Sequence, residues 1–208
     1  MKQNDLSASL VILGGGKGIR IGTEKLFLPL GDSLLIEKVI DRTSSWFEET
    51  IIAVGKSHVP FMEAFLQGKS CVKPVRVIAD EVSNRGPIEG LRCALKVLKT
   101  QWAFVIGCDM PFVRKEVAQA LWHFCNEKAD VVCGRLNGFL EPLHAFYSVS
   151  CLPAIEKALK RGHLSLKGFY KDVKVFVVEE SVLSGLPGYR RSFVGINTKE
   201  ELFQLGDV

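Results

Sequence analysis

Short runs of apolar residues alternate with amphipathic segments as far as about residue 134. The runs have the length of buried strands, and the segments between them repeat apolar residues at helical spacing, as at Leu35, Ile36, Val39 and Ile40. Strands that are apolar throughout and separated by helices indicate a parallel sheet covered on both faces. The predicted strands are 9–13, 50–54, 75–79, 102–106 and 129–133, and the predicted helices are 34–46, 59–66, 88–98 and 115–126.

The pattern is less regular in the last third of the chain. It predicts strands at 141–147 and 173–178 and helices at 152–159 and 198–205. Thr198 and Glu201 form a capping-box pair at the start of the last helix. No repeat, low-complexity tract or linker divides the sequence. We therefore expect a single α/β domain over 1–208, with a mostly parallel sheet and helices on both faces.

Composition narrows the class of protein. The chain has 208 residues, of which 47% are hydrophobic and 24% charged, so a disordered chain, a collagen and a coiled coil are excluded. The formal net charge of +4 is compatible with an anionic small substrate and does not indicate a nucleic-acid binder.

The cysteine pattern and the N-terminal sequence indicate the cellular compartment of the protein. The six cysteines form neither a CxxC motif nor a zinc-finger spacing, which is typical of buried free thiols in a reducing cytosol. The N-terminal apolar run leads into glycines rather than a cleavage site, and no stretch approaches the roughly 20 apolar residues of a membrane span. A cytoplasmic protein without membrane contact is expected.

A glycine-rich segment follows the first predicted strand and reads LGGGKGIRIGTEK over 13–25. Glycines allow close backbone approach to a ligand, and the cations Arg20 and Lys25 suit phosphates. A dinucleotide-binding fingerprint is excluded by Ile19, and P-loops ending at 57 and 70 are excluded by Thr50 and Glu63. Since ligands bind at the carboxyl ends of strands in open α/β sheets, we interpret this segment as a binding loop.

Two carboxylates also directly follow predicted strands. Asp109 lies in GCDMPF after 102–106, where it would either bind Mg²⁺ together with substrate phosphates or cap the next helix. Asp80 begins DEVSNRGPIEGL after 75–79, where it would either accept hydrogen bonds from a base or ribose or belong to a polar turn. Asn197 is either a ligand or a helix-flanking residue, and His144 is expected to be packed or hydrogen-bonded within a strand.

These segments together resemble a known family. The order LGGGKGIRIGTEK, RGPIEGL, GCDMP and FVGINTKEEL is similar to that of the molybdenum cofactor guanylyltransferases, over nearly the whole chain. The resemblance implies a Rossmann-like nucleotidyltransferase (glycosyltransferase-A-like) fold. It also implies transfer of GMP from GTP to molybdenum-molybdopterin, with release of pyrophosphate and Mg²⁺ as cofactor. Transient contact with proteins that supply or accept the cofactor would accompany this role.

The resemblance also implies roles for particular residues. Leu13, Gly14 and Gly15 would hold the guanine and the nucleotide, and Arg20 and Lys25 would face the phosphates. Asp80 would bind guanosine, Asp109 would bind Mg²⁺, and Asn197 would be a further metal ligand. The catalytic set is thus Arg20, Lys25 and Asp109.

The sequence departs from the family pattern at three places. Gly14 stands where alanine is usual, Val54-Gly55-Lys56 lacks an asparagine, and Gly195 replaces the first asparagine of Asn-Ile-Asn. A molybdopterin cytidylyltransferase or a sugar-phosphate nucleotidyltransferase is the alternative, although Gly15 leaves room for a purine. A non-catalytic nucleotide sensor is disfavoured by the presence of Asp109.

Overall fold

A mixed sheet of seven strands, in the order β5-β4-β1-β6-β8-β7-β9, runs through the part of the protein that the structure describes. This computed structural model describes residues 6–14, 26, 28–30, 32–196 and 201. The strands are β1 (Leu6–Leu13), β2 (Pro29–Leu30), β3 (Ser33–Leu34), β4 (Phe47–Val54), β5 (Val75–Ala79), β6 (Trp102–Gly107), β7 (Val131–Leu136), β8 (Phe139–Ser148) and β9 (Val175–Glu179). The helices are α1 (Leu35–Thr43), α2 (Val59–Gln67), α3 (Pro87–Leu95), α4 (Lys115–Trp122), α5 (Leu152–Lys160) and α6 (Glu180–Leu183).

The central strands β1, β4 and β6 are buried on both faces because successive side chains alternate between two cores. In β1, Leu10 and Ile12 join the core that includes α1, α2 and α4. Val11 and Leu13 join the core beneath α3 and α5. The mostly parallel sheet with helices on both faces is therefore confirmed.

The last third of the chain differs from a simple parallel arrangement. Strand β8 lies between β6 and β7 and is antiparallel to both. Its hairpin with β7 turns at Asn137 and Gly138, whose φ angles are 49° and 84°, the positive values that a tight hairpin turn requires. A helical stretch at Leu166–Asp172 and another at Tyr189–Phe193 were not predicted. Of the predicted helix 198–205, only Glu201 is among the described residues.

The predicted helix 88–98 ends earlier, at Leu95, because the chain beyond it is held by a buried carboxylate on β4. Glu49 is 2% exposed. It accepts hydrogen bonds from the Lys99 N–H at 2.8 Å, from the Ser9 hydroxyl at 2.9 Å and from Arg76 at 2.8 Å. Burial acts to raise the pKa of Glu49, but these donors hold it below its ordinary value. The carboxylate thus joins β1, β4, β5 and the turn before β6 at the amino edge of the sheet.

Glu49→Gln should lower the free energy of unfolding by about 1–3 kcal/mol at neutral pH, because one amide NH₂ would face donors that a carboxylate satisfies. Since the folded pKa is lowered, the stabilisation by Glu49 is present above its unfolded pKa and is lost as pH falls through the folded pKa. The difference in free energy of unfolding between Glu49→Gln and the wild type should therefore become smaller at acidic pH. Urea unfolding at neutral and at acidic pH measures the free energy of unfolding of the variant and of the wild type. The variant Glu48→Gln, at an exposed position, is the control. Coincident unfolding curves for Glu49→Gln and wild type at neutral pH would contradict this account.

Candidate functional site

The candidate site lies at the carboxyl edge of the parallel strands. Past the strand ends the hydrogen-bond ladder continues: the Asp80 N–H donates to Val54 O at 2.8 Å, the Gly14 N–H to Ala53 O at 2.8 Å, and the Cys108 N–H to Leu13 O at 3.1 Å. The residues that follow β5, β1 and β6 are therefore held in register along one edge. Asp80 and Asp109 stand at two ends of this row, three strand spacings or about 14 Å apart.

Asp80 is set against the first turns of α3. A side-chain carbon on Gly90 would lie 3.5 Å from Asp80 Oδ1 and 3.1 Å from Leu13 Cδ2, so the helix approaches the sheet closely here. Burial and the nearby charge of Glu89 raise the pKa of Asp80 to about 6, while Arg92 acts in the opposite direction. Helix α3 has Gly86 as its N-cap residue. Asp80 is therefore not the N-cap of this helix.

A buried ion cluster, which the sequence did not reveal, holds the loop after Asp80. Glu89 is fully buried and accepts two hydrogen bonds from Arg92, at 2.6 and 3.1 Å. Glu89 also accepts the Val82 N–H at 3.1 Å, and Arg92 bonds Glu81 at 2.8 Å. Burial acts to raise the pKa of Glu89, yet the bonds from Arg92 keep it below its ordinary value. A glutamate and an arginine three residues apart on an otherwise apolar helix are the sequence signal for this cluster.

The Asp109 carboxylate packs closely against two glycines, Gly107 and Gly195. A side-chain carbon on Gly107 would lie 2.3 Å from Asp109 Oδ1, and one on Gly195 would lie 3.3 Å from Oδ2. The Asp109 carbonyl accepts the Ile196 N–H at 2.8 Å. Helix α4 begins at Lys115 with Arg114 as its N-cap residue, so the helix-cap interpretation of Asp109 is excluded. The half-buried carboxylate instead stands at the rim of the sheet.

The donors at this rim fit a metal that is shared with a substrate. Among the described residues no group of three or more His, Cys, Asp or Glu side chains could hold an ion. A hard cation at Asp109 would therefore take its other oxygens from substrate phosphates, water and residues such as Asn197, which lies outside the described residues. Mg²⁺ is characteristically bound in this way, so the residues present are compatible with it.

The other proposed site residues divide into two groups. Leu13 is 5% exposed and packs beneath α3. At Gly14 a side-chain carbon would lie 2.7 Å from Val54 Cγ1, so packing already accounts for this glycine. Gly15, Arg20, Lys25 and Asn197 lie outside the described residues. The expectation that His144 is hydrogen-bonded within a strand is confirmed: it is buried in β8, with Nε2 2.6 Å from Ser192 Oγ.

At this sheet edge one carboxylate lies beside α3 and another lies at the rim of β6. Comparison with known proteins shows which family has this fold and sequence. The sequence profile of the MobA-like NTP transferase domain matches residues 10–174. The chain belongs to this family, as a molybdenum cofactor guanylyltransferase-type member.

Two relatives illustrate the similarity in sequence. A probable molybdenum cofactor guanylyltransferase of Pelotomaculum thermopropionicum is 32% identical over 95% of this chain and 91% of that protein. One of Methanosarcina mazei is 31% identical over 93% of this chain and 88% of that protein. The similarity thus extends over nearly the full length of both.

Two solved structures have folds similar to that of this chain. Molybdopterin-guanine dinucleotide biosynthesis protein A from Archaeoglobus fulgidus superimposes with a TM-score of 0.79 at 26% identity, covering 94% of this chain and 95% of that one. The bifunctional IspDF from Campylobacter jejuni has a TM-score of 0.71 at 18% identity, covering 96% of this chain and 54% of that one. The second likeness concerns the fold alone.

The Asp80 carboxyl should titrate with a midpoint near 6, which carbon NMR measures directly and Asp80→Asn assigns. Glu89→Gln should lower this midpoint, because it removes the like charge. Since the folded pKa is raised, the free energy of unfolding should fall as pH rises from the ordinary value of 3.8 towards 6. Asp80→Asn should abolish that part of the pH dependence. An Asp80 midpoint near its ordinary value would show that α3 does not bury the carboxyl as described.

Proposed function

We propose that this protein transfers GMP from GTP to molybdenum-molybdopterin and releases pyrophosphate. The observation that carries the proposal is the row formed by Asp80, Gly14 and Asp109 at one sheet edge, in a chain whose relatives bear the guanylyltransferase name. The guanine would lie towards Asp80 and the phosphates towards Asp109. The acceptor would approach Asp109 from the side opposite the guanine.

Asp80 suits the guanine edge. An ionised carboxylate has two oxygens that accept hydrogen bonds, and guanine offers its N1–H and its 2-amino group side by side. Glu89 and Arg92 hold the loop that follows Asp80, so the carboxylate presents a fixed orientation. Charge-assisted hydrogen bonds of this kind contribute about 1.5–3 kcal/mol each.

The phosphates would lie near Asp109, Arg20 and Lys25. An oxygen of the molybdopterin phosphate attacks the α-phosphorus of GTP, and the bond from that phosphorus to the oxygen bridging the β-phosphate breaks. The attacking phosphate is already ionised, so no nucleophile from the protein is required. Arg20 and Lys25 would orient the triphosphate and neutralise the leaving pyrophosphate. Asp109 would hold Mg²⁺, which would supply further neutralisation of phosphate charge.

The cellular setting is part of the same proposal. All six cysteines are free, which suits a reducing cytoplasm. None of the helices in the described ranges is long and apolar enough to cross a membrane. Proteins that deliver or accept the cofactor would meet this enzyme transiently.

Base selection tests the guanine assignment. Calorimetry with Mg²⁺ and each of the four nucleoside triphosphates should find GTP bound most tightly, and Asp80→Asn should weaken GTP binding by about tenfold or more. Affinity of the wild type for GTP should also fall below about pH 6, where Asp80 becomes protonated. Tighter binding of CTP than of GTP would instead assign the protein as a cytidylyltransferase.

The role of Asp109 is tested by its isosteric variant. Asp109→Asn should reduce transfer of radiolabelled GMP to molybdopterin by more than about 100-fold while the fold persists, because a hard anionic ligand is lost. Gly107→Ala should have a similar effect, since its side-chain carbon would lie 2.3 Å from the present position of Asp109 Oδ1. Asp41→Asn, at an exposed position of α1, is the matched control. Turnover of Asp109→Asn near the wild-type level at limiting Mg²⁺ would show that Asp109 is not a ligand.

A further inference from the structure

Two segments meet at the Asp109 rim, and hydrogen bonds join them at both ends. One is the 109–114 loop and the other is the 191–196 segment, which leads directly to Asn197. The Ile196 N–H donates to the Asp109 carbonyl at 2.8 Å, and the Arg114 N–H donates to Ser192 Oγ at 2.9 Å. Next to Ser192 in the chain, Arg191 has its guanidinium 4.1 Å from the centre of the Phe112 ring. The two segments therefore run antiparallel, and the two hydrogen bonds fix their register.

A third element anchors this pair of segments to the sheet. His144 belongs to β8, beside the carboxyl end of β6, and its Nε2 lies 2.6 Å from Ser192 Oγ. The Ser192 hydroxyl has one proton and two lone pairs, so it can accept the Arg114 N–H and still share a hydrogen bond with the imidazole. Ser192 and His144 are both fully buried. One serine thus connects the Asp109 loop, the terminal segment and β8.

The conformation of His144 shows that the surroundings hold it tightly. Its φ is 78°, a left-handed value that residues other than glycine keep only where the structure around them enforces it. The ring stacks on Phe193 with centroids 4.3 Å apart and meets the edge of Phe104 at 4.9 Å. Within the described part of the chain, Nδ1 has no hydrogen-bond partner, so Ser192 is the polar anchor of the ring. Burial lowers the pKa of His144 to about 3, so the ring is neutral.

We propose that His144 and Ser192 are positioning residues that hold the terminal segment against the Asp109 loop and so set the affinity of the site for the metal–nucleotide complex. The inference rests on the proposed function, because it takes Asp109 as a group that binds the metal. Neither His144 nor Ser192 would touch metal or substrate. Groups that orient metal ligands in this way typically change metal affinity by about 10–100-fold when removed.

The test measures Mn²⁺ binding to protein saturated with the α,β-methylene analogue of GTP, by electron paramagnetic resonance of free Mn²⁺. His144→Phe keeps a ring in the stack and loses the hydrogen bond, and Ser192→Ala loses both of its bonds. Each should raise the dissociation constant for Mn²⁺ by about tenfold or more. His144→Gln, whose terminal amide can reach Ser192, should recover most of the affinity.

The matched control is Tyr147→Phe. Tyr147 is as buried as His144 and lies on the same strand, but it bonds Pro142 O at 2.6 Å and Tyr170 at 2.7 Å, towards the core beneath α3 and α5. Loss of the Tyr147 hydroxyl should lower the free energy of unfolding without changing the affinity for Mn²⁺. An Mn²⁺ curve for Ser192→Ala that coincides with wild type, or an equal shift in Tyr147→Phe, would overturn the inference. Absence of GTP-analogue binding in the wild type would instead contradict the proposed function.

Discussion

The site depends on the register of the strand ends. Because β5, β4, β1 and β6 are parallel and hydrogen-bonded in step, the residues that follow them emerge along one line at the carboxyl edge. Main-chain bonds from Asp80, Gly14 and Cys108 extend this order just past the strands. The strand order therefore places Asp80 and Asp109 along one edge, after two strands that are separated by β4 and β1. Every functional assignment made for this edge depends on that placement.

The carboxylates of Asp80 and Asp109 have different surroundings, and these surroundings suit the different roles proposed for them. Asp80 lies against α3, where burial and Glu89 raise its pKa, while Arg92 compensates the charge of Glu89 itself. In the proposed role, this environment would favour discrimination between bases by Asp80, since an unpaired hydrogen-bond donor or acceptor is costly where water is excluded. Asp109 lies between Gly107 and Gly195, whose lack of side chains allows the carboxylate to pack closely against both. Gly195 does not have a positive φ, so its lack of a side chain matters for space rather than for backbone conformation.

Much of this arrangement could be predicted from the sequence, because its signals are local. Strand β5 matches its predicted bounds, and Asp80 and Asp109 could be proposed as site residues because each closely follows an apolar run. The antiparallel insertion of β8 between β6 and β7 could not be predicted, since strand order depends on packing between distant segments. The same holds for the pair of His144 and Ser192, which are 48 residues apart. Their connection exists only once β8 and the terminal segment have packed together.

The central claim is that one nucleotide spans this edge with its base at Asp80 and its phosphates at Asp109. The most direct test is a crystal structure of the protein with Mg²⁺ and the α,β-methylene analogue of GTP. We predict guanine hydrogen-bonded to the Asp80 carboxylate, and the metal bound to Asp109 and to phosphate oxygens. A base bound beyond Asp109 on the β8 side, or phosphates bound away from Asp109, would contradict it.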